Sequence, residues 1–406
     1  MSSHLKSGLT GLLLISFFLS PSCRKHKDGW PVEINCANGI QVVKNPAEPY
    51  YGELVFELEE DLAIGNRNSG NVMFSGIAVI RVDDRGNLFV LDTRNHRIHK
   101  FNGNGNHLRT FGRKGQGPGE FEYPNRLYLD GDGNIIVSEM RKIQMFNPEG
   151  DFMKLRWVPF HIMDFVPAAE GNLIVYGLIR TDKGENFVIQ SLDWDGETIR
   201  KIADFYGFSF VRKGDTVFRY SHSYSPFLHF SHMEKAGFVY GYSLEYKLFV
   251  SDRSGKTDLI IEKDERSETI TAAEKHRIID DTLKKAARSG SNTTKDDLEK
   301  AANFPPHKPF FSRLTTDDQQ RIYVWKLKSI LDVNTDEEGV ECDIFGPDGC
   351  FLYTAKFLSP PFLIHDGYLY DKKLIEDTNE EVLVRYRIRN WLKIKSDVPN
   401  HAIVPR

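Results

Sequence analysis

Residues 77–112 read IAVIRVDDRGNLFVLDTRNHRIHKFNGNGNHLRTFG, and residues 127–155 read LYLDGDGNIIVSEMRKIQMFNPEGDFMKL. Both stretches contain a polar turn with glycine that leads into a short apolar strand, followed by a second hairpin turn with glycine. Glycine suits such turns because it lacks a Cβ and adopts positive φ without steric cost. The flanking strands, such as LFVL and IIVS, have the β-branched and aromatic content typical of a pleated sheet. The two stretches are therefore copies of one β unit.

The unit recurs along the chain. Its first turn and strand occur six times, at residues 83–90, 130–137, 168–175, 234–241, 317–324 and 365–371. These occurrences predict six units with approximate spans 76–112, 124–157, 160–204, 225–263, 307–357 and 361–392. Repeats of about 40 to 50 residues with four short strands each are typical of propeller blades. The sequence therefore predicts an all-β fold, a six-bladed β-propeller.

The sixth unit lacks an outer strand, and a predicted strand at residues 53–58 has no partner of its own. Pairing this strand with the sixth blade would close the ring and remove exposed sheet edges. We therefore expect a propeller domain over residues 53–406, preceded by a linker over residues 24–52.

The first unit resembles the NHL repeat, in which a glycine turn and a strand ending in Asp precede Asn-x-Arg-Ile and an aromatic residue. The residues that carry the resemblance are Gly86, Asp92, Asn95, Arg97, Ile98 and Phe101. The second unit keeps Gly133, Ile143 and Phe146, and the later units keep only the turn and strand pattern. The layout is similar to bacterial six-bladed propeller lipoproteins. The resemblance implies the fold and a loop-fixing role for the Asp92–Arg97 pair, but it does not specify a function.

The N-terminus predicts export. Residues 9–19, LTGLLLISFFL, follow Lys6 and form an apolar run of signal-peptide length, too short to span a bilayer comfortably. Residues 19–23, LSPSC, loosely resemble the bacterial lipobox, in which the cysteine is linked to diacylglycerol. We therefore predict a signal peptide over residues 1–23 and a lipoprotein of the bacterial cell envelope, on the periplasmic or outer-membrane side, anchored through Cys23. The alternative is simple cleavage near Ser22, which would release a soluble secreted protein.

The chain has four cysteines, and Cys342 and Cys350 flank a predicted hairpin turn. A bulged three-residue loop at residues 347–349 would place Gly346 opposite Cys350 and Cys342 opposite Thr354. The two sulfurs would then lie roughly 13 Å apart, which is too far for a disulfide. We therefore expect no disulfide in this hairpin.

Residues 267–303 interrupt the β pattern with good helix formers and apolar residues at helical spacing. Ser267 and Thr271 are candidate N-caps, and two prolines at 305–306 end the run. We predict a helical insertion between blades four and five. It should emerge on the same face as the long predicted loops at residues 177–186, 325–341 and 371–381. This loop-rich face is the predicted functional face.

Residues 205–232 should reach that face and carry the candidate binding residues Arg219, Tyr220, His222, Tyr224 and His229. Aromatic side chains combined with arginine suit the binding of a protein, peptide or carbohydrate partner. The alternative is that these side chains pack beneath the helical insertion as a satellite core.

No catalytic constellation is visible, because the sequence has no nucleophile elbow, HExxH or CxxC motif. We assign no catalytic residue and no metal ligand. His229 and His232 are three residues apart and would point to opposite faces of one strand. We expect no cofactor, although calcium or zinc in the channel stays open. A net charge of −4 gives no electrostatic reason to expect nucleic acid.

Two functions remain open for a chain that we expect to be a monomer. The first is a non-catalytic binding or scaffold protein that acts through its loop-rich face, with a lipid anchor in the membrane. The second is a metal-dependent hydrolase or lyase with its site in the propeller channel. Four or more converging Asp, Glu, Asn or His side chains in the channel would favour the enzyme. An apolar or arginine-lined channel would favour binding.

Overall fold

The computed structural model describes residues 30–65, 72–182, 184–195, 197–213, 216–219, 221–288, 290–331, 339–375 and 380–399. The predicted signal peptide and Cys23 lie outside these residues. The N-terminal part of the described chain forms four strands, β1 (Glu33–Ala37), β2 (Ile40–Asn45), β3 (Glu53–Leu54) and β4 (Leu58–Ile64). In the described residues, no helix is long and apolar enough to cross a membrane.

The remaining strands form six antiparallel sheets, one for each predicted blade. Blade one consists of β5 (Ile77–Val82), β6 (Leu88–Asp92), β7 (Arg97–Phe101) and β8 (His107–Phe111). Blade two consists of β9 (Arg126–Leu129), β10 (Ile135–Ser138), β11 (Lys142–Phe146) and β12 (Phe152–Trp157). Blade three consists of β13 (His161–Pro167), β14 (Leu173–Thr181), β15 (Gly184–Leu192), β16 (Thr198–Lys213) and β17 (Thr216–Arg219).

Blade four consists of β18 (Leu228–Met233), β19 (Gly237–Tyr242), β20 (Lys247–Ser251) and β21 (Thr257–Lys263). Two helices follow, α1 (Ala272–Arg288) and α2 (Lys295–Ala301). Blade five consists of β22 (Phe311–Thr316), β23 (Ile322–Lys326), β24 (Val340–Phe345) and β25 (Phe351–Phe357). Blade six contributes β26 (Leu363–His365), β27 (Tyr368–Ile375) and β28 (Glu380–Ile388). The predicted helical insertion between blades four and five is therefore confirmed.

The first strand of each blade contacts the first strand of the next, and β26 of blade six contacts β5 of blade one. The six sheets therefore form a closed ring around a central channel. The faces of neighbouring blades bury their apolar side chains against each other, as Phe89 and Leu91 of blade one do with Leu127 and Ile135 of blade two. The six-bladed propeller predicted from the repeats is confirmed.

Ring closure uses the N-terminal chain, but the position that we predicted for the closing strand is wrong. The fourth strand of blade six is β4, which pairs antiparallel with β28 from Leu58 to Ile64. Residues 53–54 instead pair in parallel with β25 of blade five. The closing strand reads LEEDLAI. It lacks the apolar alternation of the other strands, and its acidic side chains pair with basic ones instead. Asp61, for example, lies 2.9 Å from Arg385.

Within the predicted linker, β1 and β2 form a hairpin that extends blade four through a parallel pairing of β2 with β21. Trp30, just before the hairpin, is 2% exposed and belongs to the core of blades four and five. The Asn45 side chain accepts from the Phe351 amide at 2.8 Å and donates to the Gly349 carbonyl at 2.9 Å. The N-terminal hairpin is therefore part of the propeller structure.

The hairpin turns have the backbone conformation that the repeats predict. Gly86 and Gly133 have φ of 76° and 79°. The Asp83 carboxylate of the first turn accepts hydrogen bonds from the amides of Arg85 and Asn87, at 3.0 and 2.8 Å. Such side-chain bonds stabilise the turn itself, which explains why Asp recurs at this position.

Three local expectations need correction. Residues 177–186 form a tight hairpin, since β14 and β15 pair as far as Thr181 and Gly184. Residues 371–375, within the predicted loop 371–381, continue β27, which pairs with β28 as far as Ile375 and Glu380. Cys342 lies opposite Ala355, one residue from the predicted partner Thr354, because a bulge between Ile344 and Phe345 shifts the register. Cys342 and Cys350 are both buried and free.

Candidate functional site

The sequence-predicted binding residues separate into different environments. Tyr220 lies outside the described residues, and Arg219 is the last residue of β17. His222 and Tyr224 lie beneath the helical insertion, where the His222 ring packs on Phe304 with centroids 4.5 Å apart. His229 lies in β18 and borders the central channel.

Tyr224 belongs to a satellite core together with Ile270 and Ile278 of the insertion. Its hydroxyl donates to the Glu274 carboxylate at 2.6 Å, and that carboxylate also accepts from Lys308 and Ser329, both at 2.9 Å. Burial alone would raise the pKa of Glu274, but these hydrogen bonds outweigh it and lower the pKa to about 2. Tyr224 is 0% exposed and has no surface to offer a partner. Partner binding at the loop-rich face stays a prediction that these positions do not support.

Thr271 begins α1 with a capping box. Its hydroxyl accepts from the Glu274 amide at 3.2 Å, and the Glu274 carboxylate accepts from the Thr271 amide at 2.9 Å. Each side chain thus satisfies an amide that the helix leaves unpaired. Glu274 therefore both starts the helix and fixes it to Tyr224.

The Asp92–Arg97 pair has the loop-fixing role that the resemblance implies. Asp92 is buried and accepts hydrogen bonds from the amides of Ser75 and Gly76, at 3.2 and 3.0 Å. It also accepts from the Asn95 side chain at 2.7 Å, while Arg97 Nε lies 3.8 Å away. These contacts fix the loop that enters blade one and the loop between β6 and β7.

The central channel contains a cavity of about 370 Å³, lined by residues from the first strands of all six blades. Three arginines reach it, namely Arg81 of blade one, Arg126 of blade two and Arg313 of blade five. Arg126 and Arg313 occupy equivalent levels, because each lies three residues before the last paired residue of its strand, Leu129 or Thr316. Blades two and five are opposite in a ring of six, so these two guanidinium groups approach the channel from opposite sides.

The three arginines differ in how their charge is compensated. Arg126 lies 3.0 Å from Asp164, which also accepts from the Tyr128 hydroxyl at 3.1 Å. The Arg81 guanidinium stacks over the Tyr128 ring at 4.4 Å and donates to the Ile80 carbonyl at 2.9 Å. Arg313 makes no hydrogen bond or ion pair with any residue that the structure describes.

Electrostatics at this level of the channel favours an anion. Burial lowers the pKa of Arg313, and the positive charges of Arg126 and Arg81 lower it further, whereas the carboxylates of Asp371 and Asp164 raise it. The charge of Asp164 raises the pKa of Arg126, which is therefore compensated. Burial lowers the pKa of His229 to about 4 and that of His232 to about 3, so both imidazoles are neutral near pH 7. The Arg313 guanidinium thus carries a positive charge into the cavity without an ion-pair partner among the described residues.

The histidines of β18 do not converge. The His229 ring packs against Phe311 at 5.4 Å, whereas the His232 ring packs against Tyr128 at 5.3 Å. Across the described ranges, no group of three or more His, Cys, Asp or Glu side chains is arranged to hold a metal ion.

Sequence reasoning missed the three channel arginines, although they are visible in the strands IAVIRV, RLYLD and FFSRLT. Each strand taken alone has one arginine among apolar residues. Their meeting depends on the ring, which brings positions more than 180 residues apart, such as Arg126 and Arg313, to one level. Aligning the first strands on their hairpin turns is the signal that could have found the pair.

Comparison with known proteins supports the fold. Residues 69–211, less than half of the chain, match the family DUF5128, described as a 6-bladed beta-propeller. The brain tumor protein of Drosophila melanogaster, which contains NHL repeats, is 37% identical over 84 residues. That match covers 20% of this chain and 8% of the relative, so the chain spans only a small part of it. The predicted resemblance to NHL-like six-bladed propellers is confirmed.

Several solved structures have a similar fold at low identity. A Bacteroides fragilis protein is 15% identical with a TM-score of 0.49, and the match covers 85% of this chain and 100% of that one. A member of the duf4221 family from Bacteroides vulgatus is 13% identical with a TM-score of 0.46, covering 82% and 98%. Virginiamycin B lyase of Staphylococcus aureus is 14% identical with a TM-score of 0.41, covering 85% and 92%. At this distance the likenesses say nothing about what this chain binds or catalyses.

Proposed function

We propose that this protein is an exported binding protein that holds a small anion in the channel of its propeller. The observation that carries the proposal is the pair of guanidinium groups at one level of the channel, of which Arg313 has no hydrogen-bonding or ion-pair partner among the described residues. Arginine is suited to this role because its planar fork of donors matches carboxylate and phosphate groups.

An anion between the two guanidinium groups would remove an unfavourable arrangement. Like charges in a cavity of reduced dielectric repel each other more strongly than in bulk water. A negative group would relieve that repulsion and accept charge-assisted hydrogen bonds from both sides. The cavity of about 370 Å³ falls in the usual range for small-molecule sites, roughly 300 to 1,000 Å³.

The channel also bears on the choice between the two functions that the sequence leaves open. We expect a binding protein to have an arginine-lined channel and a metal-dependent hydrolase to have several converging carboxylates or histidines. Arg126 and Arg313 supply the first feature, and Asp164 at the same level is already engaged by Arg126 and Tyr128. Other carboxylates and histidines also line the cavity, but among the described residues no three of them are arranged to hold a metal ion. The arrangement therefore favours binding over the hydrolase or lyase alternative.

Thermal melting of the purified protein in sulfate, phosphate and citrate, against chloride at equal ionic strength, tests the proposal. We expect at least one of the three anions to raise Tm, since a ligand that binds only the native state stabilises it. In calorimetric titration, Arg313→Gln should then weaken binding of that anion by about 10- to 100-fold, which corresponds to one or two charge-assisted hydrogen bonds.

Arg85→Gln is the matched control, because Arg85 is exposed in the first hairpin turn and the substitution removes the same charge. This variant should bind the anion as the wild type does. Equal affinity in the wild type and in Arg313→Gln would contradict a site between the arginines, and so would the absence of a Tm increase with all three anions.

We also propose that the protein is anchored on the outer side of a bacterial membrane through a lipid on Cys23. The signal-like residues 1–23 and the loose lipobox support this. Cys23→Ser expressed in a bacterial host should move the protein from the membrane fraction to the soluble fraction, as followed by immunoblotting. A Cys36→Ser variant should remain with the membrane. An unchanged distribution of Cys23→Ser would instead support simple cleavage or a different attachment.

A further inference from the structure

Apolar side chains surround one end of the channel. Ala78, Met163 and Phe227 come from three blades, line the cavity and are only partly buried. We call these three residues the apolar collar. Apolar side chains that line a small-molecule cavity commonly contact the non-polar part of the ligand. The collar is therefore a candidate contact surface for the non-polar part of a ligand.

The collar lies on the loop-rich side of the arginine level. All first strands run in the same direction, from the face where the insertion enters β22 toward their hairpin turns. Met163 precedes Asp164 by one residue, Phe227 comes immediately before β18, and Ala78 is the second residue of β5. A ligand entering from the loop-rich face would therefore pass the collar before it reached Arg126 and Arg313.

Beyond the arginines, the opposite end of the channel is acidic. Glu234 lies there, 3.3 Å from His365, and Asp318 lines the same end. Asp317 also lines it, but it is buried and paired with Arg321 at 2.7 Å. Carboxylates at this end would repel an anionic group that moved past the arginines. A negative group between Arg126 and Arg313 would thus have the apolar collar on one side and, beyond Arg81, acidic side chains on the other.

His229, the aromatic neighbour of the collar, adds no charge to it. Its ring lies 6.3 Å from the Phe227 ring, and burial lowers the pKa of His229 to about 4. The imidazole is therefore neutral near pH 7 and extends the aromatic surface.

We infer that the ligand of the channel is an amphiphilic organic acid, whose carboxylate lies between Arg126 and Arg313 and whose apolar body lies in the collar. This inference rests on the proposed anion-binding function and specifies its ligand class. Because acidic side chains lie on the hairpin-turn side of the arginines and the collar lies on the other side, the apolar part of the ligand must point toward the loop-rich face.

Calorimetric titration of the purified protein with three probes tests the inference: 3-phenylpropionate, propionate and inorganic phosphate. We expect 3-phenylpropionate to bind at least about tenfold more tightly than propionate, since the collar would bury the phenyl ring. The neutral amide of the same acid should bind at least about tenfold more weakly than the acid, because it offers the arginines no charge.

Phe227→Ala should reduce the advantage of 3-phenylpropionate over propionate while leaving propionate affinity within about twofold, since Phe227 is partly exposed and lies on the loop-rich side of the arginines. Leu358→Ala is the matched control, because Leu358 is 84% exposed and does not line the cavity. Thermal melting of each variant confirms that it is folded.

The outcomes separate the two proposals. If phosphate or propionate binds as tightly as 3-phenylpropionate, and Arg313→Gln weakens that binding, the ligand class is wrong while the anion site stands. The ligand class is also wrong if Phe227→Ala and Leu358→Ala have equal effects on the ratio of 3-phenylpropionate affinity to propionate affinity. If none of the three probes binds and sulfate and citrate also leave Tm unchanged, the anion-binding function itself is wrong.

Discussion

Beneath the helical insertion, the Glu274 carboxylate accepts hydrogen bonds from Tyr224, Ser329 and Lys308. In the channel, the Arg313 guanidinium has no such partner among the described residues, and the nearby Arg126 and Arg81 repel it. Both regions combine charged and aromatic side chains, and the sequence offered more reason to expect function in the first. The two regions differ in whether the charged group has hydrogen-bonding or ion-pair partners: the Glu274 carboxylate has them, and the Arg313 side chain has none among the described residues.

A buried charge with all its partners in place stabilises the structure and has nothing left to offer a ligand. A charge that the protein leaves without a partner costs free energy, and such groups concentrate at functional sites. The satellite core is therefore structural, and the channel is the better place to look for a ligand. The predictions below perturb one charge in each region.

The largest effect should follow from Glu274→Ala. The substitution leaves Lys308 and Tyr224 without their shared acceptor in a buried cluster and removes the capping box of α1. We expect the free energy of unfolding to fall by about 3 kcal/mol, as is typical when one partner of a buried charge pair is removed. Urea unfolding followed by circular dichroism measures the change.

Glu299→Ala is the control, because Glu299 is exposed on α2 and its nearest charged partner, Lys295, lies 3.9 Å away in solvent. We expect this substitution to lower the free energy of unfolding by less than about 0.5 kcal/mol.

The pH dependence of stability gives a second test. The folded-state pKa of Glu274 is about 2, below its ordinary value of 4.5, so its stabilisation is present above pH 4.5 and lost as the pH falls toward 2. Between pH 4.5 and 2, the wild type should lose about 3 kcal/mol of its free energy of unfolding, and Glu274→Ala should not show this loss. Identical pH profiles would show that the cluster is not structural.

The smallest effect should follow from Arg313→Gln without any anion present. Burial and the neighbouring arginines lower the pKa of Arg313, which means that the folded protein disfavours its charge. We therefore expect the variant to be slightly more stable, by at most about 0.5 kcal/mol because solvent reaches the side chain. Urea unfolding in anion-free buffer measures this. A loss of more than about 1 kcal/mol would reveal a structural role for the guanidinium.

The fold could be predicted because its information is local. Glycine at positive φ and Asp in the turn specify each hairpin, and six copies of the hairpin specify six blades. The closing strand was placed too early because β4 is acidic and has no apolar alternation. Its acidic side chains pair with Arg385 and Arg389 from the neighbouring part of blade six, so its partners are basic rather than apolar.

The site could not be predicted in the same way. Segment 205–232 attracted attention because its aromatic and basic residues are close in sequence, but Tyr224 is enclosed by side chains from residues 270–330. The channel arginines are isolated in sequence, and only the ring places Arg126 and Arg313 at one level. Local composition thus indicated a segment rich in aromatic and basic residues. The meeting of the two arginines in the channel depends instead on closure of the propeller ring.

The strand that closes the ring also constrains how the chain can fold. The ion pair between Asp61 and Arg385 joins residues 324 positions apart, and closing a loop of that length costs about 5 kcal/mol of chain entropy. A topology with such high contact order folds slowly. During synthesis, β4 is made before any blade, and its partner β28 is made after all the others. The ring therefore cannot close on the ribosome as the blades emerge. Until β28 is made, β4 has no partner strand and blade one has no blade six beside it, so both are prone to wrong pairing.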